Sequence, residues 1–107
     1  MFSDIKSLHV GEAPTSSTAV YTAPATSGLR AQISGIFLHN TGELAASIAL
    51  FHNHATNNRR FNVTLLPSET LELGHWQLEN GQAIYAHASA AGINIFIEGR
   101  EKTEIEP

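Results

Sequence analysis

Two histidines placed two residues apart, His52 and His54, are the first side chains in this sequence whose spacing suggests chemistry. On a β-strand, positions i and i+2 point to the same side, so the two imidazoles could share one metal ion. A structural zinc site needs four ligands, and the remaining candidates show no motif spacing: His39, Glu72, His75 and His87. We therefore interpret the pair as polar side chains at the rim of a sheet and predict no metal and no other cofactor. A metal at an oligomer axis is the alternative.

The carboxylates do not follow a pattern typical of acid–base catalysis, which needs two acids brought together in a cleft. Most of them fall in expected turns or tails: Glu43, Glu69, Glu79, Glu101, Glu104 and Glu106. A Ser-His-Asp arrangement is not expected either, because the only aspartate is Asp4 and the sequence contains no nucleophile-elbow pattern. The sequence predicts that this chain is not an enzyme.

Aromatic and basic residues suggest binding in two places. Trp76, Tyr85 and His87 could form a platform on which the apolar face of a sugar stacks, with core packing of the tryptophan as the alternative. Arg59 and Arg60 form the only adjacent pair of basic residues, and they offer a contact for an acidic partner. Their alternative interpretation is a solvated strand end.

Composition limits the classes of partner. The chain has 107 residues, six basic and ten acidic side chains, a formal net charge of −4 and no cysteine. Binding to nucleic acid relies on Lys and Arg that neutralise phosphates, so we predict no nucleic-acid partner. Residues 1–4 lack the features of a signal peptide, and no apolar run approaches the ~20 residues that span a bilayer. We expect one domain that is made in a cytoplasm or released by lysis and has no membrane partner.

Alternating apolar residues between turn residues predict an all-β domain. The clearest inward-facing sets are Phe61, Val63 and Leu65 in residues 59–66; Ile84, Ala86 and Ala88; and Ile93, Ile95 and Ile97. About eight such strands at close spacing are typical of an antiparallel β-sandwich. Both a jelly-roll and an immunoglobulin-like strand order fit this pattern.

One strand is expected to bend and to begin a hairpin. In residues 29–40 the apolar spacing shifts by one position at Ser34 and Gly35, which predicts a β-bulge or bend. An Asn-Thr-Gly turn then leads into residues 44–54, where alternate residues starting with Leu44 are apolar. We predict that these two strands pair as a hairpin and that Leu44 begins the inner stripe.

The two ends of the chain differ from the middle, and we predict an N-terminal arm (residues 1–16), a β-sandwich domain (17–100) and a C-terminal tail (101–107). The arm and tail are expected to contact partner subunits, and the predicted contact residues are Phe2, Ile5 and Leu8 in the arm and Glu104 and Ile105 in the tail. Ordering a strap of this length costs on the order of 1–2 kcal/mol of backbone entropy per residue, so it needs a surface to bury against. The domain's own sandwich is the alternative surface.

Four pieces of the chain carry a resemblance to a known group of proteins. They are a hydrophobic strand ending in Asn-Thr-Gly at residues 38–42, the corner LPSETLEL at 66–73, the hairpin LENGQAIYA at 78–86 and the strand INIFIEGRE at 93–101. Together with the sequence between them they cover about two-thirds of the chain. The sequence resembles the small β-sandwich structural proteins of tailed-bacteriophage particles, such as decoration or cement, neck and tail-accessory proteins.

The resemblance implies a virion protein that binds and stabilises capsid or head–tail joint subunits and has no catalytic residues. Its expected partners are the major capsid protein or other virion structural proteins, and its expected location is the virion after synthesis in the host cytoplasm. A symmetric homo-oligomer is expected, with a trimer favoured over a dimer. A carbohydrate- or receptor-binding module of a phage fibre, using Trp76, Tyr85 and His87, is the alternative function.

Overall fold

The computed structural model describes residues 5–26 and 28–102, which form nine β-strands and no helix. The strands are β1 (Lys6–Glu12), β2 (Thr18–Thr22), β3 (Arg30–Asn40), β4 (Ala46–His52), β5 (Arg59–Leu65), β6 (Thr70–Leu73), β7 (Trp76–Leu78), β8 (Ala83–Ala88) and β9 (Ile93–Lys102). The predicted all-β fold is confirmed. The described residues form nine strands, one more than the predicted number, because Gly74 and His75 separate β6 from β7, which both pair with β3.

Two antiparallel sheets make up the sandwich. In the first sheet the order is β1-β9-β3, with β6 and β7 both paired to the far side of β3, and in the second the order is β2-β8-β4-β5. Among the nine strands, β4 and β5 are the one consecutive pair that forms a hairpin, whereas most other connections cross from one sheet to the other. With β6 and β7 counted as one strand, this is the eight-stranded order of a jelly roll.

The inner faces follow the predicted alternation. The side chains of β8 and β9 that were predicted to face inward are at most 1% exposed: Ile84, Ala86, Ala88, Ile93, Ile95 and Ile97. Phe61 and Val63 on β5 are half-buried and pack against this core, and Leu65 is fully buried. The predicted bulge is also present, because the β3–β9 register shifts between Ile33 and Gly35 and both halves of β3 keep their apolar residues inside.

The predicted hairpin between residues 29–40 and 44–54 is wrong. Strands β3 and β4 lie in different sheets, and the turn between them carries the chain across the sandwich. Leu44 does not begin the inner stripe, since its side chain is 81% exposed and β4 starts at Ala46. The reason is local: the buried amide of Asn40 donates a hydrogen bond to the Leu44 carbonyl, which holds that residue in the turn.

The predicted boundaries differ from the observed strands at both ends of the domain. Residues 6–12, assigned to an arm, form β1 and pair with β9, so the domain's own sheet supplies the surface that they bury. Strand β9 continues through Lys102, past the predicted domain limit at residue 100. The predicted contacts at Phe2, Glu104 and Ile105 lie outside the described residues.

A close approach of β9 to β3 gives the first test of this fold. A Cβ added at Gly99 would lie 3.0 Å from the Cα of Ile33 and closer still to the Gln32 carbonyl oxygen. Because both neighbours are backbone, they cannot move without disturbing the ladder. We expect Gly99→Ala to lower the free energy of unfolding by about 3 kcal/mol, measured by urea denaturation.

The matched control is Gly74→Ala, at a position where an added Cβ meets no atom within 4 Å. This variant should change stability by no more than about 0.5 kcal/mol. Equal urea midpoints for the two variants would contradict the close approach of β3 and β9.

Candidate functional site

The described residues do not assemble the metal site that the histidines suggested as an alternative. In residues 5–26 and 28–102, no three histidine, aspartate or glutamate side chains lie together in a way that could hold a metal ion. Within the same residues, no helix has the length and apolarity needed to cross a membrane.

His52 and His54 do not share a site, because β4 ends at His52 and Asn53 adopts a positive φ of 53°. The indole Nε1 of Trp76 donates a hydrogen bond to Nδ1 of His52 over 2.8 Å, and the two rings are stacked. Nδ1 of His54 instead accepts hydrogen bonds from the backbone N–H groups of Thr56 and Asn57, at 3.0 and 2.9 Å. One imidazole therefore packs at the sandwich edge, and the other organises the loop between β4 and β5.

The structure does not bring Trp76, Tyr85 and His87 together. Trp76 is 1% exposed and belongs to the core from the first sheet. Tyr85 and His87 lie on β8 in the second sheet, where they alternate with the buried Ala86 and Ala88 and so point to its outer face. Trp76 therefore packs in the core, as the alternative interpretation of this residue expected.

Arg60 has a specific position that its sequence neighbour Arg59 lacks. It is the extra residue at a register shift in β5, since Leu50 pairs with Phe61 and Phe51 pairs with Arg59. Its guanidinium lies 4.9 Å from the centre of the Trp76 ring, and its Nη2 donates a hydrogen bond to the His75 carbonyl over 3.0 Å. A bulge re-aims a side chain in this way, and here Arg60 joins β5 of one sheet to the β6–β7 connection of the other.

The remaining predicted contact residues take different positions. Ile5 is 51% exposed just before β1, whereas Leu8 is half-buried and packs against the core. Arg59 is exposed at the start of β5. The predicted partner-binding residues that the structure describes thus belong to both sheets, with Ile5 and Leu8 at β1 and Arg59 and Arg60 on β5.

One end of the sandwich presents large apolar side chains, and sequence reasoning placed one of them inside. Leu44 is 81% exposed and Leu66 is 60% exposed. A hollow of about 360 Å³ next to Leu44 is lined by residues 42–46 and by Ala90 and Ala91. We call this surface, defined by residues 42–46, Leu66, Ala90 and Ala91, the apolar end.

Asn40 is the rigid base of the apolar end. It is 1% exposed, and its Nδ2 donates hydrogen bonds to the carbonyls of Leu44 and Leu65, at 2.9 and 3.0 Å. Its Oδ1 accepts the Gly42 N–H over 2.9 Å, and its backbone bonds to Ser68 and Glu69. A single amide therefore holds the β3–β4 and β5–β6 connections together.

A second concave surface lies on the outer face of the first sheet, and the sequence analysis did not find it. This groove of about 300 Å³ is lined by Ile5, Gln32, Ile33, Ser34, His75, Trp76, Gln77 and Arg100. Its polar residues come from three strands that are far apart in the chain, β3, β7 and β9, and from His75 in the β6–β7 connection. Only the pairing of Gln32 with both Gln77 and Arg100 brings them together, so the alternation within each strand predicts their outward direction but not their neighbours.

A polar clamp fixes the chain next to this groove. Tyr21 of β2 donates a hydrogen bond to Oε2 of Glu101 over 2.5 Å, and Lys6 Nζ lies 3.2 Å from Oε1 of the same carboxylate. Burial, together with the hydrogen bond to Glu101 and its negative charge, raises the pKa of the Tyr21 hydroxyl. The clamp joins the start of β1 and the end of β9 to the second sheet.

Comparison of the chain with protein-family models, curated proteins and solved structures finds no match.

The amide of Asn40 provides a test of how the apolar end is built. Asn40→Ala leaves two carbonyls and one N–H without their buried partner, so we expect it to lower the free energy of unfolding by about 2–4 kcal/mol. Asn62→Ala, which removes an exposed amide on β5, is the matched control and should stay within about 0.5 kcal/mol of the wild type. Similar urea midpoints for both variants would show that Asn40 does not support the two connections.

The raised pKa of Tyr21 predicts that the stability of the fold falls at alkaline pH. Because the pKa of Tyr21 is higher in the folded than in the unfolded chain, the unfolded chain loses this proton first as the pH rises. The stabilisation is complete below about pH 10 and is lost above it. Tyr21→Phe should lower stability by about 1 kcal/mol at pH 7 and flatten the loss above pH 10. Identical slopes of stability against pH above pH 10 in the two proteins would contradict the clamp.

Proposed function

We propose that this chain is a structural protein of a bacteriophage particle, of the decoration or cement kind, which binds and stabilises capsid or head–tail joint subunits. The observation that carries the proposal is the apolar end, where Leu44 and Leu66 are exposed on a base held by Asn40. Exposed apolar side chains on a rigid support are typical of protein–protein contact sites.

Two of the four sequence pieces that resemble phage particle proteins contribute to this same end. Residues 38–42 contain Asn40, and residues 66–73 form the corner that packs against it through the Ser68 N–H bond to the Asn40 carbonyl. Within that corner, the Glu69 carboxylate accepts the Leu66 N–H over 2.9 Å and the Leu66 carbonyl accepts the Glu69 N–H. The motif residues therefore have a structural task, which is to hold the connection that carries Leu66 at the same end of the sandwich as Leu44.

The fold is compatible with this role, though only by analogy. Jelly rolls occur in viral capsid domains, in lectin domains and in cupins, so the architecture alone does not select a function. The analogy adds weight because it agrees with the resemblance and with the exposed leucines.

The proposed mechanism is the addition of modest contacts over many copies. Burying one leucine contributes roughly 1.5–3 kcal/mol, so the two leucines of one copy would give a contact of moderate strength. A symmetric homo-oligomer, with a trimer favoured, would engage several subunits at once and raise the overall affinity without new contacts. The shell is then stabilised because the protein binds its assembled form.

The first experiment asks where the protein is found. Antibodies raised against the purified protein should label intact tailed particles from the source culture, and the protein should co-sediment with those particles in a density gradient. Recovery of the protein only from the soluble fraction of the lysate would contradict the proposed function.

The second experiment asks which surface makes the contact. The double variant Leu44→Ser and Leu66→Ser should keep its melting temperature and bind particles at least about 100-fold more weakly. Val10→Ser removes a 62% exposed apolar side chain from β1 and is the matched control. Equal loss of binding in the control, or full binding by the double variant, would exclude the apolar end as the contact surface.

A further inference from the structure

The groove on the outer face of the first sheet has a chemistry that the proposed assembly role does not use. Gln77, Gln32 and Arg100 form a row across β7, β3 and β9, because Gln32 is the register partner of both other residues. Ile5 lies at the β1 end of this row, one residue before the pair formed by Lys6 and Gly99. Strand pairing alone sets the spacing of these side chains.

The backbone around the groove is held on three sides. The Ser34 hydroxyl donates to the Glu98 carbonyl over 3.2 Å at the bulge of β3. The close approach of Gly99 to Gln32 fixes β9 against β3. Arg60 donates to the His75 carbonyl and so holds the other wall. A groove that keeps its shape without a ligand loses little conformational entropy when a ligand binds.

The lining combines the guanidinium of Arg100 with several other polar groups. Arg100 is exposed and lies within ion-pair distance of none of the described carboxylates, and a guanidinium matches a carboxylate through two parallel hydrogen bonds. The amides of Gln32 and Gln77, the Ser34 hydroxyl and the His75 ring supply both donors and acceptors, which suits neighbouring hydroxyls. Ile5, which is 51% exposed, offers apolar surface for the C–H face of a ring.

We propose that this groove binds an acidic sugar, a uronic acid unit whose carboxylate contacts Arg100 and whose hydroxyls contact Gln32 and Gln77. The volume of about 300 Å³ is at the lower limit for ligand sites, which fits one monosaccharide unit. None of the lining residues that the structure describes is acidic, so no carboxylate of the lining repels the ligand. The site differs from the Trp76, Tyr85 and His87 platform that the sequence suggested, and it is independent of the apolar end.

The test is a titration of the ¹⁵N-labelled full-length protein with galacturonate, followed by NMR at constant ionic strength. The side-chain amides of Gln32 and Gln77 and the Arg100 Nε–H should shift, and the dissociation constant should be about 1 mM for a ligand of this size. Galactose and acetate, which each carry half of the recognised chemistry, should bind at least about 10-fold more weakly.

Variants distinguish recognition of the carboxylate from general attraction. Arg100→Gln should weaken galacturonate binding at least about 10-fold. Arg100→Lys should recover part of that loss, because lysine keeps the positive charge but cannot form the two parallel hydrogen bonds of a guanidinium. Glu98→Gln should tighten binding about two- to threefold, since Glu98 is an exposed anion two residues from Arg100 on the same face. Asn62→Ala, on the other sheet, should leave binding unchanged.

A second titration, with tetragalacturonate, distinguishes recognition of a glycan chain from recognition of a free sugar acid. Affinity per site that exceeds that of the monomer at least about 10-fold indicates a glycan chain, and equal affinity indicates a free acid. The proposal is overturned by shifts that map away from the groove, by acetate or galactose binding as tightly as galacturonate, or by no shift at about 50 mM, well above the expected constant.

Discussion

Strand β3 is paired with β9 along its whole length, from Arg30 opposite Lys102 to Asn40 opposite Ile93, and it pairs with β6 and β7 on its other side. It therefore lies at the centre of the first sheet, and both the groove and the apolar end depend on it. Its first half carries Gln32 on the outer face, and its last residue is the buried Asn40. The bulge at Ser34 lets one strand keep apolar residues inside in both halves, which a regular strand with this sequence would not do.

The edges of the two sheets are irregular in a way that disfavours pairing with another chain. The register shifts leave one extra residue on each of three edge strands: Leu8 on β1, Val20 on β2 and Arg60 on β5. The fourth edge is made of two short strands, β6 and β7, with an interruption between them. Bulged and short edge strands are devices that prevent edge-to-edge association. Contacts between copies are therefore better sought at loops and outer faces than along strand edges.

The sequence predicted what depends on local alternation and missed what depends on strand partners. Burial of Ile93, Ile95 and Ile97 follows from a period of two residues, and the bend at Ser34 follows from a change of that period. The predicted β3–β4 hairpin was wrong because a short turn can either pair two strands within one sheet or carry the chain to the other sheet. The buried amide of Asn40 decides between these two outcomes, and its hydrogen bonds are seen only in the structure. The groove was missed for the same reason, since positions 32, 77 and 100 meet only through β3.

The two concave surfaces lie near opposite ends of the same strand, and this separation has a functional consequence. Gln32 in the groove is eight residues from Asn40 at the apolar end, which at about 3.4 Å per residue is roughly 27 Å along β3. Charged groups that far apart in water are screened, because the Debye length at physiological ionic strength is about 8 Å. A ligand of the kind proposed for the groove would therefore not alter the apolar end electrostatically. The proposed protein contact at one end and the proposed small-ligand recognition near the other would thus share one strand without electrostatic coupling between them.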